Sequence, residues 1–456
     1  MSTQANASRV TTQMANQQQR DDYLTALIGE AHVAAQQSAL ELDELRARAK
    51  ALVSERSLPS NRDEDWRFCD LSAMLSMPYR AAEPLGKLAP FKAQVDAWAL
   101  PEAQGHRLVF VNGQYAESLS SIQDLPTGVM IAPLSALGPD IGAGIRPDIR
   151  ADIESYLAHG PGSNEVFTAL NTTGFTDVAI IWVEKNQVVE QPIQVLHLSA
   201  AGAVPQLIQP RCLVVAAPNS ALTLVEQFEG TGADVVNSVS ELWLQDNAQV
   251  THILLQKESV ETYHIGKTAV SQARDSRYSC TAIALGAQLS RHNLEVYQTG
   301  PSTDTQLNGL IAIRGNQVAD THSLIALNHP HGTASQLQKN IVDDRAHGVF
   351  NGKVYVPHKA QMTNAAQLNR NLLLSDRARV DTKPELDIVA DNVKCAHGAT
   401  VSQLEADEIF YLQSRGIDQP QAQRLLLYAF AMEVIEKITV PSLRERLTQH
   451  ITEWTL

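Results

Sequence analysis

Hydrophobic positions along the chain change their spacing twice, and each change marks a different type of element. Residues 21–58 carry Leu24, Leu27 and Ile28 at helical intervals and stop before Pro59, which predicts helix. Further along, short runs rich in β-branched residues alternate with Asn, Asp and Gly turns, with no long helical pattern between them. The runs are Val178–Val183, Ile193–Leu198, Cys212–Ala216, Leu222–Phe228, Val250–Leu255, Ala282–Leu285, Leu294–Tyr297 and Leu310–Ile313.

Two segments between these regions complete the N-terminal part. Arg107–Gly113 has the pattern of a strand followed by an Asn-Gly turn, and residues 140–170 again have helical spacing. We therefore predict a mostly helical N-terminal domain over residues 21–170. Residues 1–20 contain no Asp or Glu and no apolar core of a secretory signal, which favours a disordered tail. A short organellar transit peptide is the alternative for this tail.

A regular internal repeat indicates the central architecture. Three strings begin with Gln-Leu, and a valine follows each string after a polar turn, at nearly constant intervals along the chain. One such unit cannot bury its apolar face alone, so stacked units must cover one another. The fold class predicted is mainly β, with a parallel β-helix over residues 171–402. The strings are Gln306–Ile313, Gln336–Val342 and Gln367–Leu374, and the valines are Val318, Val349 and Val380.

The chain after residue 402 is again helical and forms a predicted C-terminal domain over residues 403–456. One helix ends at Gly416, a second begins at Asp418 with Pro420, and a third begins at Pro441. The second helix has a strongly apolar face. That face either packs on the end of its own solenoid or binds another chain, and the pattern alone favours neither.

Composition narrows the classes of function. The formal net charge of −14 argues against nucleic acid as a partner, and no apolar run approaches the length of a membrane span. Four scattered cysteines without a CxxC pair are typical of a reduced, cytoplasmic protein. No catalytic triad, HExxH motif or nucleophile elbow is present, which argues against a hydrolase.

Two groups of side chains could bind metal. Cys395 and His397 stand two positions apart in a predicted strand and therefore point to the same face, and thiolate and imidazole suit iron. A full site needs further ligands from elsewhere. One step of the repeat from Gln367 reaches His397, which places it above the column of repeat glutamines. The other group, His329 and His331 with two neighbouring histidines, is interpreted as surface turn residues.

The C-terminal third contains four long, specific strings, which are Asn369–Asp376, Val380–Leu386, Val393–Val401 and Ile409–Ile417. These strings resemble the SufB/SufD family of iron–sulfur cluster assembly proteins. They occur in unbroken order, and Asp65–Phe68 also resembles that family's N-terminal domain. The resemblance is dense over residues 290–440. It implies a helical N-terminal domain, a right-handed parallel β-helix and a C-terminal helical domain.

The resemblance also implies partners. Members pair as SufB with SufD through their β-helices, and the C-terminal helices bind SufC, an ABC-type ATPase that carries the ATPase activity. A transient iron–sulfur cluster is shared with SufB, no cofactor is bound stably by the chain alone, and a homodimer of the isolated chain stays open. The residues expected to contact SufC are Tyr411, Arg415, Leu425, Leu426, Ala429, Met432 and Glu433.

Within the family, the chain resembles the SufD type. The two SufB ligand positions fall at Asn369 and Gly398, so both SufB ligands are missing. His397 then stands where SufD supplies one ligand at the interface, and Cys395 is either a second ligand or a small apolar side chain. Two rivals remain: a secreted pectin-lyase-like enzyme, and a purely structural partner for SufB and SufC in which His397 is dispensable.

Overall fold

The N-terminal region combines helices with short strands. The structure, a computed structural model, describes residues 2–38, 40–84, 86–137 and 149–454. Its first elements are α1 (Ser2–Gln36), α2 (Asp43–Ser54), β1 (Arg80–Ala81), α3 (Lys92–Trp98), β2 (His106–Val111), β3 (Gln114–Tyr115), β4 (Ser121–Ile122), β5 (Val129–Pro133), α4 (Ile149–Tyr156) and α5 (Val166–Gly174).

Some predictions for this region hold and others need correction. The strand and Asn-Gly turn near residue 107 are confirmed, because β2 and β3 form a hairpin with positive φ at Asn112 and Gly113. The predicted helix over residues 21–58 is broken between α1 and α2. Helix α1 begins at Ser2, and the chain over residues 1–20 has neither Pro nor Gly to stop a helix, so the disordered tail stays a prediction. The part of the predicted 140–170 helix before residue 149 lies outside the described residues.

A stack of parallel strands forms most of the molecule. From β9 to the end of the stack, each strand pairs with the strand two places along the chain, so consecutive strands alternate between two sheets, as the predicted β-helix requires. The strands are β6 (Ala179–Val183), β7 (Ile193–Ser199), β8 (Gln206–Ile208), β9 (Arg211–Ala216), β10 (Ala221–Gly230), β11 (Val235–Leu244), β12 (Gln249–Lys257), β13 (Tyr263–Gln272), β14 (Arg277–Ala284), β15 (Leu289–Gln298), β16 (Asp304–Ile313), β17 (Val318–Ala326), β18 (Thr333–Val342), β19 (His347–Val356), β20 (Asn364–Leu373), β21 (Arg379–Ile388) and β22 (Lys394–Ser402).

The two sheets end at β21 and β22, respectively. Sheet A runs β21-β19-β17-β15-β13-β11-β9-β6-β5, and sheet B runs β22-β20-β18-β16-β14-β12-β10-β7-β2-β3. Because β5 and β2 join these sheets, the boundary predicted at residue 171 does not separate the solenoid from the N-terminal region. Alternate side chains point inward and form an apolar core that includes Leu224, Val250 and Val354.

Stacked asparagines shape one of the solenoid turns. Asn186, Asn219 and Asn247 all have φ near +60°, a conformation that asparagine tolerates better than most residues. Each side-chain amide donates to the oxygen of the preceding one, at 2.8 and 2.9 Å. The Asn-rich turns seen in the sequence therefore stabilise the stack by bonding to each other as well as by reversing the chain.

The Asp65–Phe68 string anchors the N-terminal region on the outer face of sheet A. Trp66 is buried, and the Arg291 guanidinium lies 3.8 Å from the centre of its ring. Arg291 also donates to the Asp65 carbonyl oxygen at 2.7 Å and to Asp320 at 2.6 Å. The string therefore works as an aromatic anchor.

Helices after the solenoid pack along its side. They are α6 (Ala406–Ser414), α7 (Gln419–Ile435) and α8 (Pro441–Trp454). Buried residues of α7 and α8 contact outward-facing residues of sheet B such as Ile253 and Ile341. The side of sheet B, rather than the end of the solenoid, therefore buries these helices. Among the described helices, none is long and apolar enough to cross a membrane.

Candidate functional site

The C-terminal end of the solenoid leaves two strand edges without a partner in the described chain. β21 and β22 are the last strands of their sheets, and neither contains a buried residue. Val401 in β22 is 50 % exposed and Val389 after β21 is 54 % exposed. Free strand edges with exposed apolar side chains are templates for pairing with another chain. We call this surface, formed by β21, β22 and Val389, the open end.

Cys395 and His397 lie together at the open end. In β22 they are register partners of Ala365 and Gln367, whose side chains are buried inside the solenoid. Both residues therefore face the interior side of the last coil. Cys395 is half-buried against the apolar core, and His397 is exposed because no further coil of the described chain covers it. The predicted position of His397 above Gln367 is confirmed.

The glutamine column holds only in part. Gln336 pairs with Gln367, but the register partner of Gln336 in β16 is Leu307, not Gln306. Gln306 is exposed because a shift of one residue turns a side chain to the other face of a strand. The column that ends at His397 is therefore Leu307, Gln336, Gln367 and His397.

The Cys395 thiol is protonated at neutral pH in the chain alone. Burial raises its pKa, and a backbone hydrogen bond from Ala365 only partly opposes this effect. Metal binding requires the thiolate, so a metal must displace this proton. The geometry thus offers one exposed imidazole and one thiol that needs activation.

Asn369 and Gly398, the positions where SufB-type proteins carry ligands, cannot serve here. Asn369 is fully buried, its Oδ1 accepts from Asn371 and Thr382 at 2.6 and 2.7 Å, and its Nδ2 donates to the Gln338 carbonyl oxygen. Gly398 has no side chain. Within the described residues no group of three or more His, Cys, Asp or Glu side chains could hold a metal ion. Cys395 and His397 therefore do not form a complete metal site by themselves within the described residues.

The second histidine group does not converge. His322 pairs with Asp320 at 3.1 Å, and His347 pairs with Asp381 at 2.8 Å. His331 sits in a turn with φ of +62°. The interpretation as surface turn residues holds for His329 and His331, whereas His322 in β17 and His347 in β19 are half-buried strand residues paired with carboxylates.

A buried acid–imidazole cluster lies in the middle of the solenoid and was not found from the sequence. Glu226 is 1 % exposed, its carboxylate accepts from Ser240 at 2.8 Å, and its oxygens lie 3.5 and 3.3 Å from His197 and His252. The three main partners come from different strands, so no local motif reveals them. Burial opposes the charged forms, but hydrogen bonds to Cys280 and Glu226 outweigh it and raise the pKa of His252 to about 9.

This cluster predicts a pH dependence of stability. The folded-state pKa of His252 is above its ordinary value of 6.5, so its contribution is complete below pH 6.5 and is lost as the pH rises through about 9. We expect the melting temperature to fall over that window, and to fall less in Glu226→Gln, which lacks the anion. Glu226→Ala should lower the free energy of unfolding by about 3–5 kcal/mol. Calorimetry across the pH range measures the melting temperature and the free energy of unfolding of each variant. Equal pH dependence of the melting temperature in wild type and Glu226→Gln would contradict this account.

The C-terminal helices carry an exposed apolar surface. Helix α6 packs against α7 but has no buried residue, and its Phe410 and Tyr411 are 71 % and 58 % exposed. Leu425 and Tyr428 of α7 are 47 % and 37 % exposed. We call these four residues the helix patch. An apolar surface that its own chain leaves exposed is typical of surfaces that bind another protein.

The residues expected to contact SufC divide between this surface and the solenoid. Arg415 and Ala429 are exposed, Leu426 and Met432 are half-buried, and Met432 packs on the core of sheet B. Glu433 forms ion pairs with Lys339 and, at 3.4 Å, with Arg370. One face of α7 therefore packs on the side of its own solenoid, and binding of another chain by the exposed face stays a prediction. Sequence reasoning missed Phe410 and Tyr428, although Phe410 stands in a family-like string.

Comparison with known protein families defines the class of protein. Residues 197–430 match the SufBD core domain of SUF system FeS cluster assembly, and residues 17–195 match the SufBD protein N-terminal region. The chain belongs to the SufBD family, whose members take part in iron–sulfur cluster assembly.

The chain is also similar over most of its length to individual SufBD and SufD proteins. The chain is 43 % identical over 451 residues to an iron–sulfur cluster assembly SufBD family protein of Synechocystis, in a match that covers 97 % of each chain. It is 30 % identical to the iron–sulfur cluster assembly protein SufD of Escherichia coli, over 86 % of this chain and 88 % of that protein. The SufD of Bacillus subtilis is also 30 % identical, over 81 % of this chain and 84 % of the relative.

Proposed function

We propose that this chain is the SufD-type subunit of a cytoplasmic scaffold complex that assembles iron–sulfur clusters. The observation that carries the proposal is the pairing of Cys395 and His397 on the exposed inner side of β22, at the open end. A partial ligand set at an unpaired sheet edge suits a cluster that is held between two chains. The chain is a rigid holder in this account, and ATP hydrolysis belongs to SufC.

The open end is the proposed contact with SufB. The edges of β21 and β22 can continue both sheets into a second β-helix through main-chain hydrogen bonds. Such pairing brings the partner's ligands next to His397. SufB would supply the thiolate ligands that this chain lacks at Asn369, and the cluster is the cargo of the complex.

The helix patch is the proposed contact with SufC. It lies on α6 and α7, whereas the open end is formed by β21, β22 and Val389, so the two proposed contacts use different residues of the chain. Lys339 ties α7 to the solenoid by donating to the Phe430 carbonyl oxygen at 2.9 Å and pairing with Glu433. Movement of SufC during its nucleotide cycle would therefore pass to the solenoid through a helix that is anchored on it.

Anaerobic affinity purification of the tagged chain from its native host tests the proposal. We expect homologues of SufB and SufC to co-elute, as identified by mass spectrometry, with the visible absorption of an iron–sulfur cluster. A chain that elutes alone and colourless under these conditions would overturn the proposed complex. The four free cysteines are consistent with a reducing compartment, and fractionation of the host measures the location directly.

A further inference from the structure

A short chain of hydrogen bonds inside the solenoid leads to His397. Gln336 Nε2 donates to Ser323 Oγ at 2.8 Å, and Gln367 Nε2 donates to Gln336 Oε1 at 2.8 Å. Gln336 and Gln367 are register partners on the inner face of sheet B, and Ser323 faces them from sheet A. The Gln336 amide nitrogen is thus turned toward sheet A, and the Gln367 amide nitrogen is turned toward the preceding coil of sheet B. This leaves the carbonyl oxygen of Gln367 as the free acceptor at the end of the chain.

The free acceptor is buried directly beneath His397. Gln367 is 3 % exposed, and its Oε1 has no hydrogen-bond partner among the described residues. Buried side-chain oxygens without a donor are rare in native proteins, so this oxygen calls for a partner. The next strand is β22, in which His397 is the register partner of Gln367 at the strand spacing of about 4.8 Å.

Other donors near Gln367 are already used. Thr382 and Asn371 both donate to Asn369 Oδ1, and Asn369 itself donates to the Gln338 carbonyl oxygen. Pro384, on the facing strand, has no N–H. The glycine at position 352 makes room for this amide, because a Cβ there would lie 2.3 Å from Gln367 Nε2. The amide is therefore held in place with its oxygen left for the imidazole.

We propose that Gln367 is a positioning residue for His397. The two side chains are register partners but are not hydrogen-bonded in the structure, and a turn of the exposed His397 side chain toward Gln367 would bring one ring N–H to the free carbonyl oxygen. That hydrogen bond would fix the neutral tautomer whose other nitrogen faces the open end. Metal-binding histidines in general donate their second ring N–H to such an acceptor, which sets both the tautomer and the orientation of the ring. This inference rests on the function proposed above, and it extends the site from two residues to an ordered column.

The test is the tautomer of His397 in the full chain without any cluster. Long-range ¹H–¹⁵N spectra of protein labelled at histidine report the chemical shifts of both ring nitrogens. The spectra are recorded at about pH 8, where free imidazole is neutral. The His397 signals are identified as those that disappear in His397→Ala. We expect one tautomer in wild type and a mixture in Gln367→Met. Gln306→Met is the matched control, because Gln306 belongs to the same sequence repeat but is exposed. Unchanged His397 shifts in Gln367→Met would overturn the proposal.

A conservative variant separates positioning from packing. Gln367→Glu keeps an acceptor oxygen and should retain the tautomer, whereas a purely structural role predicts that both variants disturb it equally. Cluster loading of the complex should fall about tenfold in Gln367→Met. If His397→Ala left cluster loading unchanged, the proposed function would fail, yet the tautomer measurement on the free chain would still decide the role of Gln367.

Discussion

Replacing Leu425 and Tyr428 by aspartate should release the ATPase subunit from the complex and leave the pairing with SufB intact. Both side chains are exposed on α7, whereas Leu427 and Ala431 of the same helix are buried on the solenoid. An aspartate at each position would place a charge in the proposed interface without touching the fold. Loss of one buried anchor at an interface costs about 2 kcal/mol or more, which is about thirtyfold in Kd.

The measurement is the amount of each partner that co-purifies with the double variant, followed by calorimetric titration with purified SufC. Val260→Asp is the matched control, because Val260 is 64 % exposed in a turn far along the chain from α7. We expect the control to bind like wild type. Retention of the ATPase subunit at wild-type levels by the double variant would place the contact elsewhere than the helix patch.

The second large effect is expected from His397→Ala. The imidazole is exposed on the last strand of its sheet, so its loss should not disturb the fold. Cluster maturation in cells should nevertheless fall about tenfold or more, since a ligand matters at least as much as its supporting groups. The activity of cluster-dependent enzymes in a strain that relies on this system reports the effect. His358→Ala is the control, because the His358 side chain is 78 % exposed in a turn.

The same experiment separates the cluster-binding account from the structural alternative. If the chain only stabilises its partners, His397→Ala matures clusters normally, whereas variants of the helix patch do not. Cys395→Ala addresses the open role of Cys395. A ligand role predicts a loss close to that of His397→Ala, and a role as a small apolar side chain predicts a loss of stability with little effect on maturation.

Sequence patterns were sufficient to predict the architecture, because each coil packs against the next in the same way and the apolar pattern therefore repeats along the chain. The strings that begin at Gln306, Gln336 and Gln367 predicted a stack with a regular period, and they occupy β16, β18 and β20. The register between neighbouring strands could not be predicted from the sequence, because the turns that connect the strands differ in length. A shift of one residue moved Gln306 to the surface while Gln336 and Gln367 stayed inside.

The site was predictable only where its residues are neighbours in sequence. Cys395 and His397 are two positions apart, so the pleat alone places them on one face. The hydrogen-bond chain from Ser323 to Gln367 and the Glu226 cluster join residues from separate coils, and nothing local distinguishes them from surface residues. Burial of polar side chains inside a solenoid becomes visible only when the coils are stacked.

The most direct test of the central claim is the nitrogen coupling of the cluster in the purified complex. The wild-type complex and a complex with His397→Ala are prepared anaerobically, loaded with iron and sulfide, reduced and examined by pulsed electron paramagnetic resonance. The account predicts a strong coupling to a directly bound imidazole nitrogen in wild type and its loss in His397→Ala. Identical nitrogen couplings in the two complexes would show that His397 is not a ligand and that the open end does not hold the cluster through this chain.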